Sequence, residues 1–123
     1  MSCPFCDFDN LQVLFENEDA IAFYDKYPVQ KGHMLIIPKM HKETYFDATN
    51  EEMLGIHQLI RKGKEYLEKE YGPDGYNIGV NVSECGGQTV NHLHFHLIPR
   101  YRGDVVDPRG GIRKAVPNLV PYP

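Results

Sequence analysis

Apolar positions occur in short alternating runs at both ends of the chain, with one long helical spacing between them. After a turn-like first ten residues, "LQVLFEN" (11–17) and "AIAFYD" (20–25) predict two strands, the second ending near Asp25. "KYPVQKG" is a connection punctuated by Pro28 and Gly32, and "HMLIIP" (33–38) is a third strand. Its unbroken apolar run predicts burial on both faces, closed by Pro38. Thr49 and Glu52 then form a T-x-x-E capping box before "MLGIHQLIRKGKEYLEKEYG". Met53, Ile56, Ile60 and Leu67 keep a helical stripe, Arg61, Lys62, Glu65 and Glu68 lie off it, and Gly72 and Pro73 end it. "YNIGVNV" (76–82) reads as a strand, "SECGGQT" (83–89) as a glycine-bearing loop and "HLHFHLIP" (92–99) as the last core strand.

This order predicts an α+β domain: an antiparallel sheet of about five strands with one long helix packed on one side, joined as a meander. From Arg100 the pattern turns irregular, with Gly103, Pro108, Gly110 and Gly111. The tail "VPNLVPYP" carries three prolines and does not pair as a central strand; it is expected to lie extended against something or to be disordered. There is no internal repeat or low-complexity tract.

Composition narrows the class. The 123 residues suit one domain, with 41% hydrophobic and 24% charged residues. No apolar run reaches the roughly 18 residues of a membrane helix. "MSCPFCDFDN" has no basic stretch followed by an apolar one, so no signal peptide is expected. A formal charge of −4 offers no basic field to DNA or RNA, so a nucleotide would bind at a local site. Three cysteines, Cys3, Cys6 and Cys85, argue against a disulfide framework and predict a cytoplasmic protein.

The candidate chemistry lies in "NHLHFHLIPR", residues 91–100. On a strand, alternate side chains share a face about 6.6 Å apart. Leu93, Phe95 and Leu97 then face the core, while His92, His94 and His96 form a row on the other face. On a helix the three would scatter over about 200°. The row has three readings: a half-exposed strand that happens to carry histidine, a zinc or copper site, or nucleophilic and acid–base catalysis. Upstream, Gly86 and Gly87 permit close backbone approach, and Gln88 and Thr89 offer neutral donors, a cradle for phosphate oxygens. No acidic residue lies between Glu84 and Arg100 to complete a catalytic zinc site.

"QTVNHLHFHLIP" resembles the signature of the histidine triad superfamily, His-φ-His-φ-His-φ-φ with φ apolar. "AFYDKYPVQKGHMLIIPKMH" resembles that family's second and third strands, and "GVNVSECGGQTVNH" its phosphate-binding loop. Together they cover about residues 3–102, implying one domain with an irregular Pro/Gly-rich tail over 103–123. "PRYRGD" is similar to the fragile-histidine-triad and related microbial branch.

The resemblance implies nucleotidyl transfer through a covalent nucleotidyl-histidine. His94 would be the nucleophile, His96 would assist the leaving group and His92 would orient the site. Gln88, Thr89 and Asn81, with Gly87 in the loop, would hold phosphate oxygens or the leaving group. A third histidine, His96, in place of the glutamine of family transferases implies a hydrolase. Asp25 matches the position that binds ribose hydroxyls, though a strand-end turn residue is the plain alternative. Phe5, Phe23 and Tyr24 match positions around the base, here adenine, against an alternative of core packing. His33 matches a position beside the triad.

"CPFC" alone supplies two of the four ligands that zinc needs. The resemblance implies a structural zinc completed by His41 and His92; the alternative is a turn with two small thiols. Zinc on His92 would stop that residue from shuttling protons. No metal is required for attack, and magnesium would accompany a polyphosphate substrate. The implied substrates are dinucleoside polyphosphates, with nucleoside phosphoramidates as an alternative. A nucleotide-binding adaptor with vestigial hydrolysis and a strand-borne catalytic metal are rivals from other classes. The resemblance also implies a homodimer, built on the long helix and a sheet edge, with the tail reaching a partner's site. No membrane partner is expected.

Overall fold

The computed structural model describes residues 3–116. Strands β1 (Val13–Glu16), β2 (Ala20–Tyr24) and β3 (Met34–Pro38) run as an antiparallel meander. The β1–β2 turn is closed by Asn17, whose Oδ1 accepts from the N–H groups of Asp19 and Ala20 at 3.0 and 2.9 Å. β3 is buried throughout, as its apolar run predicts.

Helix α1 (Asn50–Glu70) follows. Thr49 Oγ1 accepts from the Glu52 N–H at 3.1 Å and Glu52 Oε1 from the Thr49 N–H at 2.8 Å, the reciprocal cap expected from T-x-x-E. Glu52 is buried, and Lys42 Nζ donates to the same carboxylate oxygen at 3.0 Å. The buried stripe is Glu52, Ile56, Leu59, Gly63 and Leu67, with Met53 and Ile60 on its flank. Its centre therefore lies on Leu59 and Gly63, away from the Met53–Ile60 line. Gly63 shows why: a Cβ there would come within 2.9 Å of both Leu97 and Met34. The bare backbone lets the helix settle onto β3 and the last strand.

Strands β4 (Gly75–Val80) and β5 (Phe95–Arg100) form the second antiparallel unit. The sheet order is β1-β2-β3-β5-β4, so the meander expectation holds only for the first three strands. The chain crosses through α1 to the far edge, and β5 returns to pair with β3. Beyond β5, Gly111–Ala115 form a 3-10 turn near β4. The proline-rich tail from residue 117 lies outside the described residues.

The last strand is also shorter than its alternating pattern predicts. Both of its ladders end at Phe95, opposite Ile36 and Val80. Upstream, the Leu93 N–H donates at 2.7 Å to the Lys42 carbonyl in the loop after β3. His92 and His94 thus precede the ladder, and only His96 lies within it. The alternation nevertheless persists through both parts. Leu93, Phe95 and Leu97 join Ala20, Ala22, Met34, Ile36, Ile56, Leu59 and Leu67 in the core beneath α1. The opposite face carries Ile21, Phe23, Leu35 and Ile37, covered by Phe5, Phe8, Leu11 and Val13. His96 pairs with Leu35 and so shares this second face. No helix among the described residues is long and apolar enough to cross a membrane.

Candidate active site

The site lies on the sheet face away from α1, and main-chain carbonyls decide its protonation pattern. His94 Nδ1 sits 2.8 Å from the His92 carbonyl oxygen. A carbonyl only accepts, so Nδ1 carries the proton and Nε2 is left with a lone pair. The ring is 7% exposed and edge-on to Phe5, with centroids 5.1 Å apart.

The tautomer of His96 follows from its neighbour. The Val29 N–H donates to His33 Nδ1 at 3.1 Å, so His33 holds its proton on Nε2. That nitrogen lies 2.9 Å from His96 Nδ1, which must accept. The His96 proton is therefore on Nε2, the buried side-chain polar atom that has no partner among the described residues. A buried donor without an acceptor marks a place for a ligand atom. His94 and His96 have ring centroids 5.2 Å apart, so the lone pair and the unpartnered N–H belong to neighbouring rings.

Burial pushes the His96 pKa down to about 4; nearby His94 and His33 add to this and Asp25 opposes it. Burial likewise lowers His33, against the pull of Asp25, whose Oδ2 lies 3.4 Å from His33 Nε2. Asp25 Oδ1 accepts from the Tyr27 N–H at 2.9 Å, which fixes the carboxylate at the end of β2. An open depression of about 390 Å³ adjoins Asp25 and His33, with Lys31, Gly32 and Tyr71 on its walls; no triad histidine lines it.

Other predicted positions fall differently. Phe5 and Phe23 are together, edge to face at 5.5 Å. Tyr24 is not with them: strand alternation turns it to the helix side, against the core beneath α1. Burial and the Tyr71 and Tyr66 hydroxyls push its own hydroxyl pKa up. Tyr24 thus stands apart from Phe5 and Phe23, although it lines the depression beside Asp25. Gln88 is also engaged otherwise than expected. Its Oε1 accepts from the Ser83 N–H at 2.8 Å, and its Nε2 donates to the Glu43 and Val90 carbonyls at 2.6 and 3.0 Å. The amide braces the loop around Ser83, which stands at φ +67°, and both its ends are occupied. Gly87, at φ +94°, makes the left-handed turn that a side chain would strain. Its neighbour Asn81 is half-buried and Thr89 exposed, while Cys85 is exposed in the same loop.

Cys3, Cys6, His41 and His92 converge. Their Sγ and ring nitrogen atoms all lie within 4.8 Å of one another. Cys3 Sγ and Cys6 Sγ are 3.3 and 3.5 Å from His92 Nδ1, and Cys6 Sγ is 3.2 Å from His41 Nδ1. Tetrahedral zinc with sulfur and nitrogen ligands sets such separations at about 3.5 Å. His92 Nε2 donates to the Pro38 carbonyl at 3.0 Å, which leaves Nδ1 as a lone pair toward the thiols. The residues therefore fit a Cys2His2 metal site. Both nitrogens of His92 are occupied by these contacts, so its part in the active site is its carbonyl, which fixes His94. Asp25, His33 and His96 also bring ligand-type atoms within 4.8 Å, but there the two rings are joined by the hydrogen bond described above.

Sequence reasoning identified the side chains but missed the Val29, Pro38 and His92 backbone groups that set their tautomers. The i, i+4 spacing of Val29 and His33 across the "VQKGH" turn was the available signal.

A five-stranded antiparallel sheet with one long helix, carrying His92, His94 and His96 at alternate positions on its last strand and just before it, defines a class of folds built around a row of three histidines. The chain belongs to the HIT-domain family, whose model matches residues 9–103. It is 42% identical to an uncharacterized HIT-like protein of Methanocaldococcus jannaschii, over 83% of this chain and 81% of that protein. It is 36% identical to adenosine 5'-monophosphoramidase hnt1 of Schizosaccharomyces pombe, over 81% of this chain and 75% of that one. A bis(5'-nucleosyl)-tetraphosphatase of the same yeast is 33% identical over 76% of this chain, but over only 51% of its own length. Among solved structures, a zinc-bound histidine triad family protein from Mycobacterium smegmatis superposes with a TM-score of 0.79 at 30% identity. That match covers 87% of this chain and 81% of the other.

Proposed function

We propose that the chain hydrolyses nucleoside 5'-monophosphate conjugates through a nucleotidyl-His94 intermediate. The observation that carries this reading is the pairing of a lone pair on His94 Nε2 with an unpartnered N–H on His96 Nε2. In the first step His94 Nε2 bonds to the α-phosphorus, and the bond to the leaving group breaks. The leaving atom accepts a hydrogen bond from the His96 Nε2–H and takes its proton from solvent. In the second step the oxygen of water bonds to phosphorus, the bond to His94 Nε2 breaks, a water proton passes to solvent and the nucleoside monophosphate departs. Asp25 is the group for the ribose hydroxyls, and Phe5 over Phe23 forms the base wall. Thr89, Asn81 and the loop backbone at Gly87 are the donors for phosphate oxygens, with Gln88 acting through the loop shape.

Within this class, a compact amine leaving group, as in a nucleoside phosphoramidate, has the better support. A compact leaving group sets one polar atom beside phosphorus, and the His96 Nε2–H offers one hydrogen bond to such an atom. Of the charges in "PRYRGD", the motif whose resemblance suggested a polyphosphate, Arg100 and Asp104 are paired with each other, while the exposed Arg102 lies 3.9 Å from Asp74. Arg100 donates to Asp104 at 2.8 and 3.0 Å and to Asn77 at 2.6 Å, so it offers no free cation to a long phosphate chain. The dinucleoside polyphosphate reading is favoured by the similarity to the tetraphosphatase and would draw its counter-charge from magnesium. The homodimer belongs to this proposal as well, with the β4 edge and its exposed Ile78 as the joining surface.

The test is intact-mass spectrometry of quenched reactions with adenosine phosphoramidate and, separately, a diadenosine polyphosphate, with products assayed in parallel. An adenylyl adduct on wild type and none on His94→Ala supports the mechanism, and relative rates choose the substrate. Full activity in His94→Ala would overturn it. AMP binding without turnover of either substrate would leave the adaptor reading.

A further inference from the structure

Residues 3–11 are attached to the domain in an unusual way. Among the described residues, their backbone hydrogen bonds close within the segment or on its immediate neighbour. Cys6 N–H donates to the Cys3 carbonyl, Asn10 N–H to Asp7, Leu11 N–H to Phe8 and Val13 N–H to Leu11. No ladder joins the segment to the sheet. Side chains alone hold it: Phe5, Phe8 and Leu11 lie against Ile21, Phe23, Leu35 and Ile37, and the two thiols face His41 and His92. Between those thiols in sequence stands Phe5, edge-on to Phe23 at 5.5 Å, to His94 at 5.1 Å and to His92 at 6.1 Å. The segment that carries the four-ligand cluster thus also carries the ring over the nucleophile.

We propose that a metal ion held by Cys3, Cys6, His41 and His92 sets the nucleotide affinity of the His94 site, by pinning Phe5 in place as its aromatic wall. The inference rests on the nucleotide reading given above and adds a coupling between two sites. Coordination takes both cysteines as thiolates, their protons passing to the buffer. It ties the turn at residues 3–6 to the loop after β3, through His41, and to the triad segment, through His92. A tethered Phe5 has its position fixed before the base arrives, so binding no longer bears the cost of ordering the segment. The coupling must be reciprocal: whatever factor the metal gives to nucleotide binding, the nucleotide gives to metal binding.

The probes are Zn²⁺ and AMP, used on the full chain. Calorimetry gives the AMP dissociation constant for zinc-loaded and stripped protein. Competition with a chromophoric chelator, on loaded protein with and without saturating AMP, gives the same factor from the zinc side and does not require the stripped chain to stay folded. The expected result is one zinc per chain and a mutual strengthening of about fivefold or more. In Phe5→Ala the zinc stoichiometry stays at one and the factor falls to about one, while Phe5→Tyr retains it. Wild-type AMP binding with a factor of one overturns this inference and leaves the proposed function standing. Failure to bind zinc, or a full factor retained in Phe5→Ala, also overturns it. A loaded, folded chain that binds no AMP at all removes the nucleotide reading and this inference together.

Discussion

His94 and His96 are the same residue type two positions apart, yet the fold gives them opposite tautomers. A carbonyl holds the His94 proton on Nδ1, and His33 holds the His96 proton on Nε2. His94→Ala should remove the adenylyl adduct entirely. His96→Ala should still form the adduct, but from a phosphoramidate about 10²–10³-fold more slowly, the usual cost of losing one transition-state donor, as single-turnover kinetics would show. Protonation gives a second prediction. The folded-state values of His33 and His96 lie below the unfolded value of 6.5, the latter at about 4. The unfolded chain therefore binds more protons between those limits, and stability falls as pH drops from about 6.5 towards about 4. Thermal melts at pH 7 and pH 5 should show this loss, and His96→Asn should lessen it. At this scale the convergence of Cys3, Cys6, His41 and His92 was legible through the family resemblance. The sequence did not disclose that Gln88 turns into its own loop, because that depends on where the Glu43 and Val90 carbonyls come to rest.

Among the elements, the helix and the three-stranded meander were legible, since capping chemistry and unbroken apolar runs are local signals. The centre of the helix stripe was not, because Gly63 carries no hydrophobic side chain to count. Its role is visible only when Met34 and Leu97 occupy the space above it. Gly63→Val should cost about 1–3 kcal/mol by urea unfolding, the range for overpacking a filled core. Gly75→Ala, with nothing within 4 Å of the added carbon, should change stability far less. The start of β5 escaped prediction for a related reason. Alternation continues through Leu93, while the hydrogen-bond partner changes from a strand to the Lys42 carbonyl.

For the whole molecule, sheet order was the least legible property. The insertion of β5 between β3 and β4 depends on pairing between segments about sixty residues apart, which no local pattern encodes. The consequence is that β4 is left as an edge, with Ile78 46% exposed. Light scattering should return about twice the chain mass of 14.1 kDa, and Ile78→Lys should shift it towards the monomer. A wild-type monomer at micromolar concentration would count against the edge-to-edge dimer.

The β3–β5 register sets Leu35 beside His96 and Ile36 beside Phe95. Because side chains alternate, a slip of one residue would send His96 under the helix and Phe95 out to the opposite face. The core and the chemistry are thus written into the same six residues in opposite phase. A chain that pairs wrongly here loses its hydrophobic contacts and the placement of its His96 N–H at once, so quality control that removes unstable molecules also removes those with a disordered site. The same phase lock means that a single-residue insertion in β5 cannot alter the catalysis without also dismantling the fold.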